Sequence, residues 1–286
     1  MSSRTLLITG ATGTQGGAVV RSLLKQGDGS WTLRALVRDP SAEMAKALQA
    51  RGVQLVKGDL NDAVSVAAAV KGAYGVYSVQ TFMGKGQDVK AEVRQGKLLA
   101  SVAAEARVEH FIYSSVAGAE TNSGVPHFDS KWQIEQHIRE LKLPATMVRP
   151  TMFMENLQSP VFRAVVMSLW KTFVPEDRSL QLIAGDDIGN FVRLAFSDPQ
   201  SFIGKEIDLA GDTLTRRQAI EVLKRAGRPP LFPVRLPKPM LGRLPKEIPI
   251  MFAWMGNVGS SADVPALRRL DPSLKTLEQW ASALGK

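Results

Sequence analysis

The stretch TGATGTQGG (9–17) follows the apolar run TLLI (5–8) and leads into the helically spaced Ala18, Val19, Leu23 and Leu24. Its glycines Gly10, Gly13 and Gly16 give the spacing G-x-x-G-x-x-G. A glycine at a strand–helix turn admits positive φ, and a glycine nearer the helix lets a ligand approach the backbone with no Cβ in the way. The helix start then presents unpaired N–H groups and the positive end of its dipole. Together these features describe a cradle for the paired phosphates of a dinucleotide. Thr12, Thr14 and Gln15 are placed to add side-chain hydrogen bonds.

Outward from this turn, short apolar runs alternate with helical patterns. Strands are expected at 5–10, 31–37, 53–58, 75–80, 110–115 and 144–153. Helices are expected at 14–26, 40–51, 62–71, 86–106 and 130–141, the last opening on a Ser-x-x-Gln capping box at Ser130. Strands separated by helices pair in parallel through right-handed crossovers. The fold class is therefore α/β, a Rossmann-type doubly wound parallel sheet with a smaller C-terminal α/β lobe. We expect residues 1–153 to form the NAD(P)-binding domain and 154–286 the smaller lobe, partly interleaved with it. In the second half, helices are expected at 154–170, 186–197, 215–226 and 276–284, and short strands at 180–184 and 206–210. Seven of the sixteen prolines fall in 227–250, which reads as a stiffened loop without a regular element.

Composition narrows the chemistry. The 286 residues include no cysteine, which removes disulfides, thiol nucleophiles and thiolate metal sites. The three histidines, His110, His127 and His137, are too scattered to suggest a metal centre. The N-terminus carries no secretory pattern, and no apolar run reaches the roughly 20 residues that span a bilayer. A cytoplasmic protein without membrane association is expected. The net charge of +9 is accompanied by no nucleic-acid motif, so it reads as solvated surface plus cationic pockets for an anionic cofactor.

The second strand bears on cofactor choice. An NAD site commonly ends that strand with an acid for the ribose hydroxyls; here it ends Val37-Arg38, and a guanidinium suits a 2′-phosphate. NADP(H) is the expected cofactor, with Asp39 keeping NAD(H) open. Asp59, just past the third strand, faces the adenine amino group or caps the next helix. Gln80 follows the fourth strand.

With these residues placed, the chain resembles the NmrA-like family of atypical short-chain dehydrogenases. ITGATGTQGG (8–17), VRDP (37–40), GDLND (58–62), QGKLLA (95–100), FIYSS (111–115), HFDSK (127–131), VRPTMFMEN (148–156) and TLEQW (276–280) carry the likeness. The resemblance implies NADP(H) binding through Gly10, Gly13, Gly16, Thr14, Gln15 and Arg38, and a place for Lys131 beside the nicotinamide ribose. It also implies a split in function between redox sensing through regulatory proteins and reduction of quinones or small carbonyl compounds.

HFDSK bears on that split. Short-chain dehydrogenases place a tyrosine acid four residues before the lysine; here His127 stands there. Imidazole donates protons near neutral pH but is shorter than a phenol and would be a cation beside Lys131. His127, Lys131 and Ser115, with its neighbour Ser114, are the candidate catalytic residues. Thr81, Phe128, Thr151, Phe153 and Asn156 are the candidate substrate-pocket residues. The leading expectation is a redox-linked regulator acting through a protein partner, with a homodimer also open; the alternative is an NADPH-dependent reductase.

Overall fold

The computed structural model describes residues 4–27, 29–84, 86–230 and 244–284. It opens with β1 (Arg4–Ile8), α1 (Thr14–Gln26), β2 (Trp31–Val37), α2 (Glu43–Ala50), β3 (Gln54–Lys57), α3 (Ala63–Val70), β4 (Gly75–Ser78), α4 (Val89–Glu105) and β5 (His110–Ser114). Then come α5 (Pro126–Glu140), β6 (Ala145–Pro150), β7 (Met152–Phe153), α6 (Pro160–Phe173), β8 (Ser179–Ile183), α7 (Gly185–Ser197), α8 (Pro199–Phe202), β9 (Glu206–Leu209) and β10 (Asp212–Thr215). The described chain closes with α9 (Arg216–Arg225), α10 (Glu247–Asn257), α11 (Val264–Leu270) and α12 (Leu277–Ala283).

Seven strands form one sheet in the order β3-β2-β1-β4-β5-β6-β9. β1 pairs in parallel with β2 on one side and β4 on the other. The winding therefore reverses between β1 and β4, the switch point at whose carboxyl side an open α/β sheet holds its ligand. Thr9 stitches that seam: its Oγ1 donates to the carbonyl of Tyr77 at 3.2 Å and accepts from the Val79 N–H at 2.9 Å. Leu6, Leu7, Ile8, Val76, Tyr77, Phe111, Ile112 and Tyr113 are wholly buried, the near-continuous apolar pattern of strands covered on both faces.

Two compact units share the chain. The first takes Met1–Ser115, Ser130–Val148 and Ile188–Ile207; the second takes Val116–Asp129, Arg149–Asp187 and Asp208–Lys286. In the first, Gly189 of α7 lies so near α1 that a Cβ would fall 2.4 Å from the Ala18 carbonyl oxygen. The second contains the sheet β10-β8-β7, with β8 antiparallel to β10 and parallel to β7, over a core around Trp170, Leu182 and Trp280.

Four local expectations need correction. The expected helix start at Ser130 lies inside α5, which begins at Pro126; the Ser130 hydroxyl donates to Glu92 Oε2 at 2.5 Å rather than capping. The sixth strand stops at Pro150, and Met152–Phe153 joins the smaller sheet. The expected helix 154–170 is a 3₁₀ turn (Met154–Leu157) followed by α6, which starts on Pro160 in the first-turn position that proline favours. Within the proline-rich stretch, 231–243 lies outside the described residues, but α10 begins at Glu247. Pro249 sits in its first turn, where a missing N–H costs no helical bond.

Candidate cofactor site

The glycine turn is built as its sequence suggests. Gly10 has φ +60°, and its carbonyl accepts from the Gly13 N–H at 2.9 Å. A Cβ at Gly16 would lie 2.3 Å from the Gly10 oxygen, so only glycine lets α1 start this close beneath the turn. Gly13 caps α1 with extended backbone and no side-chain bond, and no acid occupies the first helical turn. Thr12, Gly13 and Thr14 are exposed. The free N–H groups of α1 thus open onto an uncovered rim, a fit for phosphate oxygens. Gln15 is held differently. Its Oε1 accepts from Ser114 Oγ at 2.6 Å and Tyr77 Oη at 3.3 Å, which ties the first helix to β4 and β5.

At the carboxyl ends of β2 and β3, Arg38, Lys57, Gly58, Asp59, Asp62 and Ser65 line an open cleft of about 360 Å³. The register puts Val37 opposite Lys57, so both cations stand at adjacent strand ends, and both are exposed. Neither enters an ion pair among the described residues. Asp39 is occupied by its own turn: its Oδ1 accepts from the Ser41 hydroxyl at 2.6 Å and N–H at 2.8 Å, bonds that hold its carboxyl below the usual range. Asp59 Oδ1 accepts from the backbone and side-chain nitrogens of Asn61, each at 2.8 Å. The cap of α3 is Asp62, which accepts from Val64 and Ser65 N–H; the capping alternative for Asp59 is thereby corrected.

Beyond β4 and β5 the groups are buried. Gln80 Nε2 donates to Ser78 Oγ at 3.0 Å, while its Oε1 has no partner among the described residues. Ser115 Oγ, also buried, has none either. Two unsatisfied buried polar atoms at neighbouring strand ends call for an outside partner, since each costs free energy while unpaired. Lys131 Nζ lies 3.0 Å from Glu92 Oε1, donates to the Ser114 carbonyl at 3.2 Å, and stands 5.5 Å from the centre of the Tyr113 ring. Burial first, then Glu92 and Glu135, raises the Tyr113 phenol well above its usual range and so keeps it protonated near neutral pH.

In the second unit, His127 is 8% exposed and packs edge-on against Phe128, whose ring meets Trp254 at 5.0 Å. Thr151 Oγ1 donates to the Leu209 carbonyl at 3.0 Å. Phe153 is half-buried and Asn156 exposed. In the first unit, Thr81 is exposed and bonds locally, accepting from Met83 N–H and donating to its carbonyl. The first unit thus gathers the glycine turn, Arg38, Asp59, Gln80, Ser115 and Lys131, while His127, Phe128, Thr151, Phe153 and Asn156 belong to the second.

Sequence reasoning missed Lys57, Tyr77 and Glu92. The last had a signal: Glu92, Gln95 and Leu99 follow helical spacing on the face α4 buries, and a carboxylate there asks for a cation.

The architecture and glycine turn define a Rossmann-type α/β protein of the class that holds dinucleotides. A model of the NmrA-like family matches residues 2–278, and the chain belongs to that family. It is 31% identical over 238 residues to an NmrA-like family domain-containing protein of Dictyostelium discoideum, covering 78% of this chain and 77% of that one. The fold matches that of NmrA, a negative transcriptional regulator solved with NADP and with NAD. Each of these structures gives a TM-score of 0.75 at 23% identity, covering 99% of this chain and 95% of NmrA. It also matches an NADPH-dependent quinone oxidoreductase of Escherichia coli in complex with NADPH, with a TM-score of 0.80 at 23% identity, over 98% of this chain and all of that one (100%). No helix among the described residues is long and apolar enough to cross a membrane.

Proposed function

We propose that this chain is a cytoplasmic NADP(H)-binding protein that acts as a redox-linked regulator through a protein partner. The observation that carries the cofactor assignment is the cleft where Arg38 and Lys57 stand exposed, while the neighbouring Asp39 is engaged by Ser41. Two exposed cations outside any close ion pair among the described residues suit the extra phosphate of NADP(H), and an acid turned into its own loop offers little to the free ribose of NAD(H). Gly10, Gly13 and Gly16 with the first turn of α1 would receive the pyrophosphate, and Gln80, Ser115 and Lys131 the nicotinamide half. The regulator role is supported by the absence of a tyrosine where the family lysine expects one, and by the pairing of Lys131 with the buried Glu92.

A second reading, NADPH-dependent reduction of quinones or small carbonyl compounds, is favoured by the unpartnered Gln80 Oε1 and Ser115 Oγ, which a polar substrate group would satisfy. The cofactor supplies hydride in that chemistry, and His127 is the candidate proton donor. Steady NADPH oxidation with a panel of quinones separates the two. The regulator reading expects NADPH binding without turnover. Turnover that vanishes in Lys131→Ala at saturating cofactor would replace it with the reductase.

A further inference from the structure

Glu92 belongs to no sequence motif, yet its side chain is wholly buried: Oε2 accepts from Ser130 Oγ at 2.5 Å, and Oε1 forms an ion pair with Lys131 Nζ at 3.0 Å while accepting no hydrogen bond among the described residues. Burying an ion pair is a poor route to stability, because desolvation of the two charges offsets most of their attraction and an apolar pair would serve as well. The pair does fix geometry. An ammonium has three N–H donors. One donates to the carbonyl of Ser114, the last residue of β5, while the ammonium sits 3.0 Å from Glu92 Oε1 as an ion pair without hydrogen-bond geometry. The other two have no hydrogen-bond acceptor among the described residues, and the lysine side chain keeps 10% exposure. It lies at the carboxyl end of β5, where a doubly wound sheet holds its ligand, near the unpartnered hydroxyl of Ser115.

We infer that Glu92 is a positioning residue for the cofactor. Its charge and the Ser114 carbonyl fix the place of the Lys131 ammonium, leaving a donor for a hydroxyl of the nicotinamide-side ribose. This rests on the dinucleotide reading above. Glu92 touches no ligand itself and acts only through Lys131.

The test compares NADPH with adenosine 2′,5′-bisphosphate, which keeps the phosphate-bearing half of the cofactor and lacks the nicotinamide half. Wild type, Glu92→Gln, Lys131→Met and the double variant are titrated with each. Glu92→Gln keeps the size and the Ser130 bond and removes the charge. It should weaken NADPH about tenfold and leave the bisphosphate within about twofold. In the Lys131→Met background it should add nothing, because two residues that act as one unit are not additive. If Glu92→Gln does not fold, Ser130→Ala frees one carboxylate oxygen and should weaken NADPH about threefold, again sparing the bisphosphate. Wild-type NADPH affinity in the Glu92 variant, equal loss of both ligands, or an undiminished loss in the Lys131→Met background overturns the inference. Failure of wild type to bind the bisphosphate instead removes the dinucleotide reading on which it rests.

Discussion

The two ends of the candidate site treat positive charge in opposite ways. Beside β2 and β3, Arg38 and Lys57 are exposed and without ion-pair partners among the described residues. Beside β5, Lys131 is buried, bonded to a main-chain carbonyl and matched to a wholly buried carboxylate. An exposed, unpaired cation gains by meeting an anion and loses little to desolvation. A buried, neutralised one offers little net attraction but a fixed donor. On the proposed reading, the first end selects a phosphate and the second orients what that phosphate anchors. The glycine turn, at the end of β1, lies between them in the sheet order.

Substitutions can break or sharpen that division. The largest effect is expected from Gly16→Ala. Its Cβ would meet the Gly10 carbonyl oxygen at 2.3 Å, a backbone atom that cannot swing aside. We expect a loss of about 3 kcal/mol in thermal or denaturant unfolding and no measurable NADPH binding. Near-normal binding would mean that the cradle is not where the pyrophosphate sits. Next comes the phosphate end. Arg38→Ala should weaken NADPH about 30-fold and NADH less than about threefold, and Lys57→Ala should weaken NADPH about fivefold, since a lysine acts as a point charge without the guanidinium fork. Equal losses for both dinucleotides would erase the contrast between the two ends.

The sequence reading was sharpest where local rules decide structure. α1 (14–26) and β2 (31–37) have the ends that were expected, because a glycine turn, an apolar period and a following strand of β-branched and aromatic residues act within a few positions of one another. Arg38 and the three glycines were visible for the same reason. Elsewhere a local signal lost to a distant one. Ser130 looked like a cap, but the buried Glu92, 38 residues earlier, claims its hydroxyl. Residues 152–153 read as a continuation of β6, but Met152 pairs with Leu182 of the smaller sheet instead. The prolines around 245–249 masked the apolar run that becomes α10, whose Trp254 packs on Phe128. Lys57 escaped notice because its meaning depends on Arg38, which is adjacent only once β2 and β3 pair.

The central claim is that the cleft at Arg38 and Lys57 receives the phosphate that distinguishes NADP(H) from NAD(H). Calorimetric titration of the wild-type protein with NADPH and with NADH tests it most directly. The account predicts one site per chain, with NADPH held at least about 30-fold more tightly than NADH. Equal affinities, or no heat from either dinucleotide, would contradict it.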